Sequence, residues 1–407
     1  MMRPSRTAVI VIPTSNEAAS IGVILDELVS KVFAATGWNC HVVVVDANSA
    51  DGTSDVVRSA QKRSEKVHLI VEQEKEGLGA AYFKGFRHAI DVLSADAVVE
   101  FDGDLQHPTS VIPELLAELD KGADLVLGSR RRPGGSYPRG WSPVRRFLSE
   151  VGGFVSRVLL FFPLKSFWQI TDPTTGLKAT RATAAFRSMD FESFLTRGFG
   201  YKLEMLFRLV QSGARVREVA LQFRLRGAGE SKMEGQAPWE ILWTCILLRL
   251  RHEGTRKFMK FAAVGLFGYI VNAVLLEVFS RMTFIGLLAG YFRFFRNTIL
   301  AFLSQQSGWA SILSVEGAII SNFVWNNFWT FKSDRALDLK GLAARMLGFN
   351  LTSIGAILLQ SVAVGSAARI FGDSTVVRQL SLIATIGFLV LPYNWLVYNR
   401  LIWRKKQ

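Results

Sequence analysis

The chain has 407 residues, a net charge of +14 and a composition that is 49% hydrophobic. It is longer than one ordinary domain. Before about Gly235, charged and apolar residues mix as in a soluble domain, whereas after about Arg256 long uncharged runs are separated by basic clusters. A basic chain fits nucleic acid or an anionic membrane surface. The adjacent apolar runs favour the membrane, and the absence of any RNA- or DNA-binding signature argues against a nucleic-acid partner.

The beginning of the chain predicts that this soluble domain stays in the cytoplasm. The apolar run 9–12 ends at Pro13 and is too short for the core of a signal peptide. The two cysteines, Cys40 and Cys245, lie in different regions, so no disulfide framework is predicted.

Strands and helices alternate over the first part of the chain. Apolar runs predict strands at 7–12, 39–45, 67–71, 97–99 and 123–127, and helical spacing predicts helices at 21–29, 79–93 and 110–119. This alternation predicts a mainly parallel α/β sheet, in which ligands bind at the carboxyl ends of the strands. Residues 13–17, Asp46 and residues 102–106 follow three of these strands, so we expect them to form one site.

An acidic stretch follows the strand at 97–99. Asp102 and Asp104 are separated by Gly103, which lets the backbone turn sharply so that the two carboxylates converge. Mg²⁺ prefers such oxygens together with substrate phosphates, and Gln106 adds a neutral carbonyl oxygen. The stretch therefore predicts either a Mg²⁺ or Mn²⁺ site holding a nucleotide diphosphate or a polar turn closing the strand.

Four motifs occur in the order of a known family. They are Pro-Thr-Ser-Asn-Glu at 13–17, the segment from Asp46 to Thr53, Gly-Leu-Gly at 77–79, and Asp-Gly-Asp-Leu-Gln-His-Pro at 102–108. Together they resemble the dolichol-phosphate mannose synthases, which are inverting glycosyltransferases of the GT-A fold. The resemblance implies a Rossmann-like, mostly parallel GT-A catalytic domain over 1–235.

The resemblance also implies roles at the nucleotide end of the site. Residues bordering the nucleotide sugar are Pro13, Ser15, Glu17, Asp46, Asp102, Asp104, Gln106, Arg226 and Lys232. Asp102, Asp104 and Gln106 are expected to bind the metal, and Asp104 is the first candidate for the catalytic metal ligand. Ser15 stands where the family usually has an aromatic residue, and Ala47 replaces a second acid, so the nucleotide itself stays open.

A basic segment after the strand at 123–127 predicts a binding site for a lipid phosphate. Arginine suits phosphate because its planar fork donates two hydrogen bonds. By resemblance, Arg130, Arg145 and Ser149 hold the acceptor phosphate, with Arg130 also catalytic. A solvated basic face is the expectation for Arg131, Arg132 and Arg139.

Two later features leave alternatives open. The segment 172–178 resembles a family segment that contributes to the sugar or acceptor pocket, with a plain turn as the alternative. Glu204 either reaches the sugar or has a structural role.

Two interfacial amphipathic helices are predicted, about 144–162 and within 236–255. Trp239 and Trp243 in the second suit the bilayer interface. An all-α, four-helix transmembrane domain is predicted over 256–407, with spans at about 259–281, 309–331, 344–368 and 379–401. Residues 322–331 resemble the second span of the GtrA-like membrane family. The basic residues bracketing these spans predict a multi-pass protein with its catalytic domain on the cytoplasmic face.

Together, the family resemblance and the predicted membrane spans imply a membrane enzyme that transfers mannose from GDP-mannose to a polyprenyl (dolichyl) phosphate, with Mg²⁺ or Mn²⁺ as cofactor. The alternatives are the same chemistry with UDP-glucose or another nucleotide sugar, and a lipid-linked sugar flippase with an inactive transferase domain. The intact acidic motif argues against inactivity. The sequence makes no prediction of the oligomeric state.

Overall fold

The structure is a computed structural model that describes residues 6–225, 237–295, 306–332, 338–371, 376, 380 and 384–398. The chain divides into two compact units, Met1–Leu250 and Arg251–Gln407. The division falls within the segment 236–255 that the sequence assigns to a linker.

The first unit is built on a seven-stranded sheet with the order β3-β2-β1-β4-β6-β5-β7. Its strands are β1 Thr7–Thr14, β2 Asn39–Asp46, β3 Val67–Val71, β4 Ala97–Glu100, β5 Leu125–Ser129, β6 Lys178–Arg181 and β7 Val216–Ala220. Only β6 runs antiparallel to its neighbours, β4 and β5. The predicted mostly parallel α/β sheet is therefore confirmed.

Helices cover both faces of this sheet. They are α1 Ala18–Glu27, α2 Thr53–Arg63, α3 Leu78–Asp91, α4 Ile112–Asp120, α5 Pro143–Phe161, α6 Ser166–Gln169, α7 Ala184–Arg187, α8 Tyr201–Gln211 and α9 Ala237–Arg251. Side chains alternate across a strand, so Ile10 and Ile12 pack in one apolar cluster while Val9 and Val11 pack in the other. Burial on both faces explains why the central strands are nearly continuous apolar runs.

The strand register aligns the predicted site loops. Thr14 at the end of β1 lies opposite Asp46 at the end of β2, and β4 pairs with β1 in parallel up to Glu100. The segments after β1, β2 and β4 therefore leave the sheet along the same edge, as the sequence predicts.

The second unit is helical. Its helices are α10 Glu253–Arg281, α11 Thr283–Tyr291, α12 Gln306–Trp325, α13 Leu339–Phe371 and α14 Leu391–Val397. A wider π-helical turn, Asn326–Thr330, extends α12. An apolar core joins the helices around Phe261, Phe323, Phe349 and Tyr398. Within the described residues, no helix has the length and apolar content that crossing a bilayer requires, and the four predicted spans stay a prediction.

Candidate active site

Asp46 organises the loop after β2. Its buried carboxylate accepts hydrogen bonds from the Thr14 hydroxyl (2.8 Å), the Ser49 amide and hydroxyl (3.0 and 2.6 Å) and the Ser54 hydroxyl (2.8 Å). Four donors on two oxygens hold the ends of β1 and β2 together. The structure thus gives Asp46 a supporting position, and its predicted contact with the nucleotide stays a prediction.

The loop after β1 is fastened to the same region. The Glu17 amide donates to the Thr53 hydroxyl at 2.9 Å, and a Glu17 carboxylate oxygen lies 3.1 Å from the Ser20 hydroxyl oxygen. Pro13, Ser15 and Glu17 are all partly exposed beside the strand ends. They lie where a nucleotide would border the sheet edge.

The acidic stretch makes a tight corner after β4. Ser20 donates to the Gly103 carbonyl at 2.6 Å, and a Cβ on Gly103 would lie 3.2 Å from the Thr14 methyl group. Leu105 has a φ of 63°, an unfavourable left-handed conformation for a branched residue. Such strain persists where the surroundings enforce it, often at functional sites. The Asp104 carboxylate accepts a hydrogen bond from the Gln106 backbone amide at 3.1 Å, which closes the turn.

Asp102 is held by two donors. The Tyr82 hydroxyl and the Lys202 ammonium donate to its Oδ1 at 2.9 and 3.1 Å, and His107 Nδ1 lies 3.7 Å from its Oδ2. Burial works against ionisation, but the charge of Lys202, with His107 and the two hydrogen bonds, lowers the pKa of Asp102 well below its usual value. Burial and the Asp102 charge raise the pKa of Tyr82, so its hydroxyl keeps the proton it donates. Asp102 is therefore an oriented carboxylate anion.

His107 packs behind this carboxylate without hydrogen bonds. Among the described residues neither ring nitrogen has a partner, and the ring lies between those of Phe101 and Phe223. Burial lowers the pKa of His107 to about 4 even though the Asp102 charge opposes the shift. The imidazole is thus neutral at pH 7.

Gly176 brings the segment 172–178 into the site. A Cβ at Gly176 would lie 2.5 Å from Asp102 Oδ2 and 3.0 Å from both His107 Cε1 and Lys202 Nζ. Only a residue without a side chain fits here, so the segment packs against the acidic corner, and its contribution to the sugar or acceptor pocket stays a prediction.

A row of buried polar residues, Glu100, Lys178 and Tyr201, supports the acidic corner and is called the ladder here. Tyr201 donates to the Glu100 carboxylate at 2.8 Å, and Lys178 lies 3.6 Å from the same oxygen and donates to the Lys202 carbonyl at 3.1 Å. Burial lowers the pKa of Lys178 to about 8, although the Glu100 charge opposes the shift. The ladder fixes the start of α8 and hence the Lys202 ammonium beside Asp102.

Arg130, at the end of β5, is already paired. Its Nε and Nη2 each donate to the buried Asp172 carboxylate at 2.7 Å, and Nη2 also reaches Thr174 at 3.2 Å. The guanidinium carbon lies 5.3 Å from the centre of the Tyr137 ring and 5.6 Å from that of Phe223. Burial alone would lower its pKa, but the Asp172 charge and hydrogen bonds raise it. Nη1 is the guanidinium nitrogen without a hydrogen bond to a described residue.

The other basic residues differ from one another. Arg145 is exposed and lies 4.3 Å from the centre of the Trp141 ring, on α5 with the partly buried Ser149. The expected solvated position is wrong for Arg131. Its guanidinium donates to the carbonyls of Ser149 and Glu150 (3.0 and 2.9 Å), and a Cβ at Gly153 would meet it at 2.6 Å. Arg131 therefore fastens β5 to α5, whereas Arg132 and Arg139 are exposed as expected.

Gln106 and Glu204 have defined partners. The Gln106 side-chain amide donates to the Arg224 backbone carbonyl at 3.2 Å, and the Arg224 backbone amide donates to the Gln106 backbone carbonyl at 2.9 Å. Glu204 is fully buried, pairs with Arg208 at 2.6 Å and accepts from the Leu195 amide at 2.8 Å. Of the two alternatives for Glu204, the structure supports the structural role. The predicted phosphate ligands Arg226 and Lys232 lie outside the described residues.

The donor set of the acidic corner suits a hard cation. Among the described residues, no three His, Cys, Asp or Glu side chains are arranged to hold a metal by themselves. Mg²⁺ needs fewer protein ligands, because one or two carboxylates and the substrate phosphates complete its shell. Asp102 and Asp104, with the Gln106 side chain nearby, provide that smaller set.

Sequence reasoning missed the contacts of Tyr82 and Lys202 with Asp102, whereas Gly176 lies in the segment 172–178 that it assigned to the sugar or acceptor pocket. The available signal was Lys202 in the run 201–207, whose other residues are apolar or aromatic except Glu204, because a lysine is rarely buried without a partner. No spacing links it to Asp102, which is 100 residues away in the chain.

The chain matches two families. Residues 9–196 match Glycosyl transferase family 2, and residues 260–403 match the GtrA/DPMS transmembrane domain. The molecule is thus a glycosyltransferase whose catalytic domain is joined to a domain of a membrane family, as the sequence predicts.

Curated relatives narrow the class. The chain is 31% identical to a dolichol-phosphate mannosyltransferase of Pyrococcus furiosus over 86% of its own length and 87% of the relative's. It is 37% identical to an undecaprenyl-phosphate mannosyltransferase of Micrococcus luteus, covering 55% of this chain and 86% of that protein. A polyprenol monophosphomannose synthase of Mycolicibacterium smegmatis is 34% identical, and the match covers 58% of this chain and 83% of that protein. The chain belongs to the dolichol- and polyprenol-phosphate mannosyltransferase family.

Solved structures resemble it more distantly. Mannosyl-3-phosphoglycerate synthase from Rubrobacter xylanophilus has a TM-score of 0.44 at 21% identity, covering 61% of this chain and 76% of that one. A mannosyltransferase from Pyrobaculum calidifontis in complex with GDP-Man and Mn²⁺ has a TM-score of 0.35 at 17% identity, and the match covers 100% of this chain and 89% of that one.

Proposed function

We propose that this protein transfers mannose from GDP-mannose to the phosphate of a polyprenyl lipid, giving polyprenyl-phosphate mannose. The observation that carries this proposal is the 31% identity to a dolichol-phosphate mannosyltransferase along 87% of that protein's length. The acidic corner supports it, because its carboxylates lie at the sheet edge where α/β proteins bind nucleotides.

The reaction is an in-line displacement. An oxygen of the lipid phosphate attacks the anomeric carbon of mannose, the bond from that carbon to the diphosphate breaks, and GDP leaves with the electron pair. No strong base is required, because a phosphate with a second pKa of about 6 is ionised at neutral pH. Attack opposite the leaving group inverts the anomeric configuration.

Asp104 and Asp102 are the proposed ligands of Mg²⁺ or Mn²⁺, with Gln106 as a neutral third. A bound divalent cation would stabilise the negative charge that builds on the departing diphosphate. Tyr82 and Lys202 keep Asp102 ionised and oriented for this role. The hydrogen bonds of Tyr201 and Lys178 fix the start of α8, the helix that carries Lys202.

Arg130 is proposed to meet the lipid phosphate through Nη1. Its pairing with Asp172 fixes the plane of the guanidinium, so the remaining nitrogen points in a defined direction. Arg145, which is exposed, supplies a second cation, and Ser149 a hydroxyl. The acceptor phosphate would therefore meet Nη1 of Arg130, the guanidinium of Arg145 and the hydroxyl of Ser149, all of which are hydrogen-bond donors.

An apolar helix surface supports delivery of the acceptor from a bilayer. On α5, Val144, Phe147, Leu148 and Val151 follow helical spacing and are exposed, Phe147 by 64%. On α9, Trp239 is 72% exposed. Helices with such a face lie in the headgroup region of a membrane. Phe147→Glu should raise KM for polyprenyl phosphate while leaving KM for GDP-mannose unchanged.

The activity is tested with purified full-length protein, undecaprenyl phosphate and either radiolabelled GDP-mannose or radiolabelled UDP-glucose. We expect label in the lipid fraction only with GDP-mannose, and loss of transfer when a chelator removes divalent cations. Transfer from UDP-glucose alone would assign a different donor. No transfer from either donor would contradict the proposal and favour the flippase alternative.

A further inference from the structure

The second unit contains a cavity of about 250 Å³ that the proposed reaction does not use. Its walls are Arg251 at the end of α9, the first two turns of α10, the end of the π-helical turn after α12, and Lys332. Residues three and four apart share one face of a helix, so Glu253, Arg256, Lys257 and Lys260 line the cavity together. The cationic side chains of the lining are Arg251, Arg256, Lys257, Lys260 and Lys332.

These positive charges are poorly compensated. The single carboxylate of the lining, Glu253, lies 3.0 Å from Lys257. In the part of the chain that the structure describes, the other four cations of the lining have no ion pair. Like charges around one cavity repel each other, and the repulsion is relieved when an anion binds between them.

Thr330 gives an independent indication of a ligand. This lining residue is only 3% exposed, and its hydroxyl has no hydrogen-bond partner among the described residues. An unsatisfied buried hydroxyl costs free energy. A ligand oxygen in the cavity would satisfy it. The volume exceeds by far the roughly 15 Å³ that a single water needs, so the cavity has room for more than solvent.

We propose that this cavity binds a phosphate group. Phosphate carries more than one negative charge and offers several acceptor oxygens, which suits two arginine forks, three lysines and one hydroxyl. A carboxylate offers one charge and two oxygens and would leave most of these donors unused. The ligand is either the headgroup of an anionic phospholipid or a free phosphate.

Calorimetric titration of the purified full-length chain in detergent tests the proposal. The probes are dihexanoyl phosphatidic acid, inorganic phosphate and the neutral dihexanoylglycerol. We expect the first two to bind and the third not to. Tighter binding of phosphatidic acid, by more than tenfold, identifies a lipid source, whereas equal affinities identify free phosphate.

Three variants separate a specific site from general charge attraction. Lys260→Gln should weaken phosphate binding about tenfold, the usual effect of losing one charge-assisted hydrogen bond. Lys340→Gln removes the same charge from an exposed lysine outside the lining and should change nothing. Thr330→Val should weaken binding severalfold without lowering thermal stability, since it removes an unsatisfied hydroxyl.

The thermal measurement on Thr330→Val keeps the test decisive even if Lys260→Gln fails to fold. A purely structural threonine would lose stability and leave binding unchanged. Equal losses in Lys260→Gln and Lys340→Gln, or unchanged affinity in both lining variants, would overturn the proposal.

Discussion

Replacing Gly176 by alanine should disable the active site without unfolding the protein. The added methyl carbon would lie 2.5 Å from Asp102 Oδ2, and side-chain Cβ atoms essentially never come closer than 3.0 Å to a neighbour. The two groups must therefore separate by at least about 0.5 Å. His107 and Lys202, each 3.0 Å from the new carbon, block the nearby ways out, so we expect the Asp102 carboxylate to move.

The effect on the reaction follows from the role of that carboxylate. A misplacement of about 1 Å at a reacting centre can cost roughly 100-fold in rate, and half of that distance should still lower kcat at least about tenfold. KM for the lipid phosphate should change little, because Arg130 and Arg145 are untouched. Steady-state transfer of radiolabelled mannose measures both parameters.

Gly37→Ala is the matched control. Gly37 is exposed, and a Cβ there would meet nothing within 4 Å, so kcat and melting temperature should equal those of the wild type. Wild-type kcat in Gly176→Ala would show that Asp102 has no required position. A large fall in melting temperature with proportional loss of activity would mean that the glycine serves the fold alone.

Three further predictions concern the same corner. Asp104→Ala should abolish mannose transfer while the melting temperature stays near the wild-type value, and full activity would refute the metal assignment. Asp172→Asn leaves the Arg130 guanidinium buried without its counter-ion, which should lower the free energy of unfolding in urea by about 3–5 kcal/mol. An unchanged unfolding midpoint would contradict the pairing. His107 has a pKa of about 4 when folded and 6.5 when unfolded, so between these pH values the unfolded chain binds more protons and stability falls as pH falls. The full loss in the free energy of unfolding is about 3 kcal/mol. Urea midpoints of the wild type and of His107→Gln, measured from pH 7 to 4, separate this contribution from that of the other histidines. Parallel curves for the two proteins would refute the prediction.

The sequence predicts the central sheet well, for a physical reason. Strands buried on both faces must be apolar throughout, so β1, β2 and β4 are visible as apolar runs that end in polar residues. Because parallel strands share a carboxyl edge, the residues after each strand could be assigned to one site. β6 gave no such signal, since Lys178 and Arg181 flank only Ala179 and Thr180, and its burial depends on a partner for the lysine.

The parts of the site that the sequence could not supply are long-range polar contacts. Lys202 meets Asp102 because α8 starts on the ladder that Glu100 and Lys178 build beneath it. By residue type alone, the charged residues of these contacts look like ordinary surface residues. Only the folded chain shows that burial makes each of them depend on the others, because a buried charge without a partner is costly.

The two adjacent arginines after β5 illustrate the same limit. Arg130 and Arg131 are identical in type, yet Arg130 pairs with the Asp172 carboxylate and Arg131 fastens α5 through backbone carbonyls. Both residues follow Ser129, the last residue of β5, so neither strand periodicity nor residue type shows which of them turns toward Asp172 and which toward α5. Pairing with Asp172 also changes what Arg130 can do. With Nε and Nη2 committed to Asp172, the nitrogen that Arg130 offers to another ligand is Nη1, which carries two N–H donors and is held in a fixed direction by the pairing.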